Sequence, residues 1–305
     1  MGQLIATLYA SKQLKRMRSA LTFLLLTTVA LGQGGPSAPT SDAAASVPND
    51  PENMHKARAL LDKALSALGG SAYLDIKDVK QEGRSYSFHR GEAKGAGVSF
   101  TRMRKFWDKD RIDYTAAHQV DFEPFYGVDI PVKTLKTHVS LIYSGDKGYE
   151  VTNIGVRSVD EKEDLVPYLR RRHFSIDAIL RQWLNEPRVG LFYEGQTVAA
   201  QKPVDQITIM NARNEAVTLY LETDSHLPIK KTFTWRDPAD KQRNVEDEIF
   251  DNYRPVQGVM TPFDVTRVYN GEMAGQSFLN SASYNQGLAD NLFDPQQVPI
   301  APKKR

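Results

Sequence analysis

The 305-residue sequence contains no cysteine. That excludes disulfides, thiol catalysis and acylation of a lipobox cysteine, and leaves any exported domain to rely on a core large enough to hold without cross-links. Charge of one sign is also lacking, since 39 basic residues against 37 acidic ones leave a formal net charge of +2. No overall basic field is present to recruit nucleic acid. Catalytic spacings are absent too: there is no His-Glu-x-x-His pair, no Gly-x-Ser-x-Gly elbow, no P-loop and no Gly-x-Gly-x-x-Gly run. The six histidines, His55, His89, His118, His138, His173 and His226, are scattered without metal-ligand spacing. The reading is a non-enzymatic protein with no cofactor and no metal.

The sequence also has no apolar run long enough to span a bilayer comfortably. The longest, ALTFLLLTTVAL at 20–31, falls short of the ~20 residues a spanning helix needs. Lys12, Lys15, Arg16 and Arg18 precede it and small residues around Gly32 follow, the layout of a secretory signal. Residues 1–32 are therefore read as a signal peptide with cleavage near Gly32 and Met17 as an alternative start. An uncleaved anchor is the rival. Residues 33–51, rich in Gly, Pro, Ser and Ala, read as a flexible leader. Residues 52–298 read as one folded domain, and 299–305 as a basic tail.

Within the domain the pattern begins helical. Asp50-Pro51 offers an N-cap and an N1 proline, Ala57, Leu60, Leu61, Ala64, Leu65 and Leu68 fall at helical spacing, and Gly69-Gly70 closes the segment. The period then changes to two, giving expected strands at 79–88, 98–107, 111–115 and 139–143, and later at 191–199, 205–211, 216–222, 229–235, 245–253, 260–269 and 276–284. The joins are too short for crossover helices, so the sheet should be antiparallel. Asn270-Gly271 marks one hairpin, since an Asn-Gly pair accepts positive φ cheaply.

A helical insert at 158–187 interrupts the strands. Its second half has Ser175 as N-cap and places Ile176, Ile179, Leu180, Trp183 and Leu184 on one stripe that must cover something apolar. Acids at 160–164 and the run Arg170-Arg171-Arg172 are read as complementing the helix dipole, with a docking surface for an anionic headgroup or a protein partner as the alternative. Glu246-Asp247-Glu248 is expected on a solvated strand edge, with a paired-carboxylate hydrolase site as its rival. In the late strands Leu219 and Leu221 share a face with Val217, Phe233 and Trp235 with Ile229, and Phe263 with Val259, Val265 and Tyr269. Two explanations stay open: these side chains fill a core, or they line a cavity for a lipophilic ligand.

The C-terminal half carries a resemblance. A strand ending in Leu221-Glu222-Thr223-Asp224-Ser225-His226-Leu227-Pro228-Ile229-Lys230 is followed by one reaching Trp235-Arg236-Asp237. Next come an acidic strand and Val256-Gln257-Gly258-Val259-Met260-Thr261-Pro262, and the last strand runs out in Tyr284-Asn285-Gln286-Gly287-Leu288-Ala289-Asp290-Asn291-Leu292-Phe293-Asp294-Pro295. This succession resembles the outer-membrane lipoprotein-sorting family, the LolA/LolB-type carriers and their RseB-like relatives. The resemblance implies an α+β fold in which a curved antiparallel sheet forms a half-open barrel, with an N-terminal helix and the mid-chain insert as lid. It implies a periplasmic carrier of a lipid or a lipoprotein acyl chain. A lipid-sensing regulator with a membrane-associated protein partner is the alternative. The candidate ligand-binding residues on that basis are Ile176, Ile179, Leu180, Trp183, Leu219, Leu221, Phe233, Trp235 and Phe263.

Overall fold

The computed structural model describes residues 50–94, 97–115 and 138–298. The expected signal peptide, nearly all of the leader, and the basic tail lie outside them. The opening helix α1 spans Pro51–Leu68, with the Asp50 side chain accepting from the Glu52 N–H at 3.0 Å. Its end at Gly69 is obligatory twice over. The φ of +126° suits glycine, and a Cβ there would meet the Gly258 carbonyl oxygen at 2.3 Å. A short helix α2 (Ser71–Leu74) leads into the sheet.

Fourteen strands follow: β1 (Asp78–His89), β2 (Glu92–Ala93), β3 (Val98–Lys105), β4 (Lys109–Thr115), β5 (His138–Ser144), β6 (Lys147–Thr152), β7 (Gly155–Ser158), β8 (Gly190–Ala199), β9 (Lys202–Met210), β10 (Ala216–Glu222), β11 (Pro228–Arg236), β12 (Arg243–Val256), β13 (Val259–Tyr269) and β14 (Glu272–Tyr284). Apart from β2, which pairs only with β1, they form one continuous sheet in the order β7-β6-β5-β4-β3-β1-β14-β13-β12-β11-β10-β9-β8. Every pairing is antiparallel. The expected hairpins fall in place: Asn270 and Gly271 both take positive φ, and the β10–β11 connection runs through a left-handed His226 to Pro228 as first residue of its strand. The sheet curves but does not close into a barrel, which is the expected half-open form.

Connectivity explains where the helices sit. The chain leaves the sheet at one edge, β7, and rejoins it at the other, β8, and the insert spans the interval. It consists of a π-helical turn (Glu161–Leu165) capped by Asp160, then α3 (Val166–His173), α4 (Ile176–Arg181) capped by Ser175, and a final 3₁₀ turn (Trp183–Asn185). Ala57, Leu61 and Ala64 of α1 join Ile179, Leu180 and Trp183 of the insert and Ile207, Leu219, Leu221 and Phe233 of the sheet in the main core. A second cluster, Met103, Ile142, Val151, Phe293 and Val298, packs on the opposite face of β3–β6.

The edge strand β8 is occupied from the side. Asn53 of α1 donates to the Tyr193 carbonyl and accepts from the Tyr193 N–H, both at 2.8 Å, so one side-chain amide imitates a neighbouring strand. The contact falls where the β8–β9 register shifts, between Tyr193 and Gly195. Asn53→Ala removes both bonds and is expected to cost about 1–3 kcal/mol in urea unfolding, with faster amide exchange at Tyr193; unchanged exchange there would refute the pairing.

Candidate functional site

The two halves of the concave face differ in side-chain size, and the difference creates a cavity. On β9–β11 the residues in register are large: Leu219 pairs with Ile207, and Val217 lies between Ile209 and Phe233. The insert closes over them through an aromatic stack. Phe174 lies parallel to Phe233 at 4.5 Å, Trp183 meets Phe174 at 5.4 Å, and Trp235 lies 5.6 Å from Phe233 with the Arg170 guanidinium 4.1 Å from its ring centre. On β1, β14 and β13 the row in register is Ser85, Ser277 and Val265. These short side chains leave the floor low, and a cavity of about 1810 Å³ opens above it.

More of the cavity wall is apolar than polar, with charged residues of β3, β4 and the insert among the lining. Phe100, Ile112, Leu141 and Phe250 come from the sheet, Tyr168, Leu169 and Ile176 from the insert, and Tyr73 and Ile76 from the segment after α1. The placement of the nine candidate ligand-binding residues follows from the division between the halves. Ile176 lines the cavity. Ile179, Leu180, Trp183, Leu219, Leu221 and Phe233 are buried in the filled core, and Trp235 packs against it. Phe263 is buried beneath the Arg254 guanidinium, 4.5 Å from its ring centre, and is not among the lining residues. Strict alternation fails here because Asn252, on the paired strand, takes a left-handed conformation (φ 53°). Lining positions on β12 accordingly change from even, at Glu248 and Phe250, to odd, at Tyr253.

Charged groups inside this shell are handled in three ways. Asp110 is almost fully buried and accepts two bonds from Arg102, at 2.5 and 3.1 Å, and one from the Tyr168 hydroxyl at 3.2 Å. Tyr168 in turn stacks on Tyr143 at 3.5 Å, so this ion pair fixes α3 to the sheet. Lys231, with no exposed surface, bonds Glu248 at 2.7 Å and the Phe174 carbonyl at 2.6 Å. Burial raises the Glu248 carboxyl, but Lys231 outweighs it and holds the group below the usual carboxylate range. Glu246 lacks such a partner: its Oε1 is buried without a hydrogen bond, and burial pushes its pKa up despite Arg171 and Arg267 nearby.

One sequence expectation and two of its alternatives do not match this geometry. Glu246 and Glu248 do not lie on a solvated edge; β12 is interior to the sheet and both acids face inward, with Glu246 buried. Asp247 points the other way, to Lys230 at 3.1 Å and Thr232 at 2.5 Å, so Asp247 and Glu248 do not converge as a catalytic pair. The arginine run is no outward docking face: Arg170 stacks on Trp235, Arg171 lines the cavity, and Arg172 donates to the Asp108 carbonyl at 3.3 Å. Sequence reasoning missed Lys231, Arg102, Asp110 and Arg267. A signal existed, because Lys231 occupies the inward position between Ile229 and Phe233, opposite an inward Glu248.

No family model matches the chain, and no curated protein matches it in sequence. The chain is similar to LolA superfamily structures. A LolA superfamily protein from Nitrosomonas europaea overlays with 11% identity and a TM-score of 0.45, covering 78% of this chain and 96% of that one. A DUF1329 family protein from Desulfovibrio piger gives 12% identity and a TM-score of 0.49 over 78% and 96% of the two chains. A protein domain from Vibrio parahaemolyticus named for outer membrane lipoprotein sorting gives 10% and 0.47 over 79% and 98%. At these values the likeness concerns the course of the chain and not what it binds.

Two variants probe the buried charges. Lys231→Met strands Glu248 and the Phe174 carbonyl and should cost about 3–5 kcal/mol in denaturant unfolding, while Lys231→Met with Glu248→Leu should recover at least half; no recovery would sink the pairing argument. For Glu246 the folded carboxyl titrates above its ordinary value of 4.5, so the native state holds that proton more tightly and stability falls as pH rises from 4.5 through the folded value. Glu246→Gln is therefore expected to raise the melting temperature relative to wild type near pH 7 and to leave it unchanged at about pH 4. An equal effect at both would refute it.

Proposed function

We propose that the protein is an exported, non-enzymatic carrier that holds a lipid or the acyl chain of a lipoprotein in the cavity between insert and sheet, within the cell envelope. One observation carries this reading: a volume of about 1810 Å³ on the concave face whose wall is more apolar than polar. It exceeds the about 300–1,000 Å³ of a drug-sized ligand site, and is continuous from β1 to the insert. Burial of methylenes supplies affinity at about 0.8 kcal/mol per CH₂, which favours long chains over compact ligands.

The contact residues of this reading are Ile176 and the walls at Phe100, Ile112, Leu141 and Phe250. Trp183, Leu180, Ile179, Leu219, Leu221, Phe233 and Trp235 act by holding the insert in place, so substitutions there reach the ligand through the lid. The regulatory alternative shares the cavity; of the run it would dock through, Arg170 stacks on Trp235, Arg171 faces the cavity and Arg172 donates to the Asp108 carbonyl.

The reading is tested by narrowing the cavity without touching the core. Ser277→Trp and Val265→Trp project a ring from the floor and are expected to weaken binding of a fluorescent long-chain fatty-acyl probe by about tenfold or more, which is ~1.4 kcal/mol of lost burial. The melting temperature should hold. Probe binding unaffected by either ring, or no acyl lipid retained in native mass spectrometry of the purified protein, would overturn the carrier.

A further inference from the structure

The cavity wall is predominantly apolar, and charged side chains interrupt it. Arg267, on β13 two residues beyond Val265 of the floor, and Arg171, on α3 of the insert, both line it. Neither guanidinium has a hydrogen-bond or ion-pair partner among the described residues. Arg267 is the register partner of Glu248, and Lys231, bonded to Glu248, donates to the carbonyl of Phe174, three residues beyond Arg171, so this row of the sheet runs beneath the end of α3 that carries Arg171; consistently, burial and then Arg267 lower the Arg171 pKa from its ordinary value. Two like charges held together at the border of an apolar space are costly unless something negative joins them.

The acids of β12 that face the same row do not fill that role. Glu248 is committed to Lys231 at 2.7 Å. Glu246 lies close enough to be influenced by both arginines, yet its Oε1 makes no hydrogen bond and burial favours its neutral form. Arg102, the next inward arginine, is satisfied by Asp110. Counting Lys231, Arg171 and Arg267 against Glu246 and Glu248 leaves an excess of one positive charge even when both acids are ionised. A guanidinium presents donors in a fork that matches the oxygens of a carboxylate or phosphate.

We propose that Arg171 and Arg267 form a receptor for the anionic head of an amphiphile whose chain lies in the cavity. This rests on the lipid-binding reading and narrows it: the ligand class is a carboxylate- or phosphate-headed lipid, not a neutral one. One arginine belongs to the insert and one to the sheet, so the head bridges them and ties the lid to the floor when a ligand is bound.

Four single-chain probes below their micellar concentrations separate the possibilities: oleate, lysophosphatidylglycerol, zwitterionic lysophosphatidylcholine and neutral oleyl alcohol, each titrated calorimetrically into the purified protein. An anionic probe is expected to bind about tenfold tighter than oleyl alcohol, the ~1.4 kcal/mol scale of one charge-assisted hydrogen bond. Preference for oleate identifies a carboxylate source, and preference for lysophosphatidylglycerol over lysophosphatidylcholine identifies a phosphate in an anionic headgroup. Arg171→Gln and Arg267→Gln should each erase most of the preference and leave oleyl alcohol affinity unchanged within about twofold. Equal binding of all four probes, or a preference that survives in the double variant, overturns the head-group receptor while the cavity reading stands. If no probe binds, both fall. Should Arg267→Gln unfold the protein, Arg267→Lys keeps the charge and loses the fork, and its intermediate preference would support the receptor where an unaltered one would refute the fork.

Discussion

Among the described residues, a sheet of thirteen strands in one path, with β7 and β8 at its two ends, presents more concave surface than its own side chains can cover. Curling reduces the exposed area but pairs no edges, so apolar residues on the inner face must be covered by helices. That requirement explains the rest of the molecule. Helix α1 and the second half of the insert take the β8–β11 end, where large residues in register meet them. The first half of the insert stands over β4 and β5, and between the two covered parts Ser85, Ser277 and Val265 on the middle strands leave the floor low. The cavity is the part of the covering problem solved by distance instead of contact.

Buried charge makes this arrangement specific. An apolar insert on an apolar sheet would slide, but Tyr168 on the Asp110–Arg102 pair and the Phe174 carbonyl on Lys231 each fix one point of the insert against one strand. Such pairs add little net stability over apolar packing, yet a displaced insert leaves a charge stranded. Between the two fixed points the helices have a defined height above the sheet, and that height sets the volume available beneath them.

Much of the architecture was legible in the sequence. Strand alternation, the Asn270-Gly271 turn, the Asp50 and Ser175 caps and the antiparallel order all follow from local rules, and β10 at Ala216–Glu222 has the expected limits. The site was less legible. Periodicity assigns a face to Phe233 or Leu219 but gives no distance to whatever lies across from that face, so a filled core and an empty cavity read alike. Phe263 escaped because alternation was assumed through Asn252. Lys231 and Glu248 escaped because charged residues are ordinarily assigned to solvent, whereas their cross-strand register makes each the other's partner.

The insert's attachment has a mechanical consequence. A flap hinged at one end swings clear and exposes the whole site at once. This segment is tethered at both rims of the sheet, through β7 and β8, and has no free end. Room for a bulkier occupant would have to come from bending the sheet flatter, which would draw the rims apart and pull the insert taut across the opening. If the cavity holds a ligand as proposed, its capacity would then be an elastic property of the hydrogen-bonded sheet, and an oversized ligand would meet rising tension from the whole fold instead of a collision at a gate.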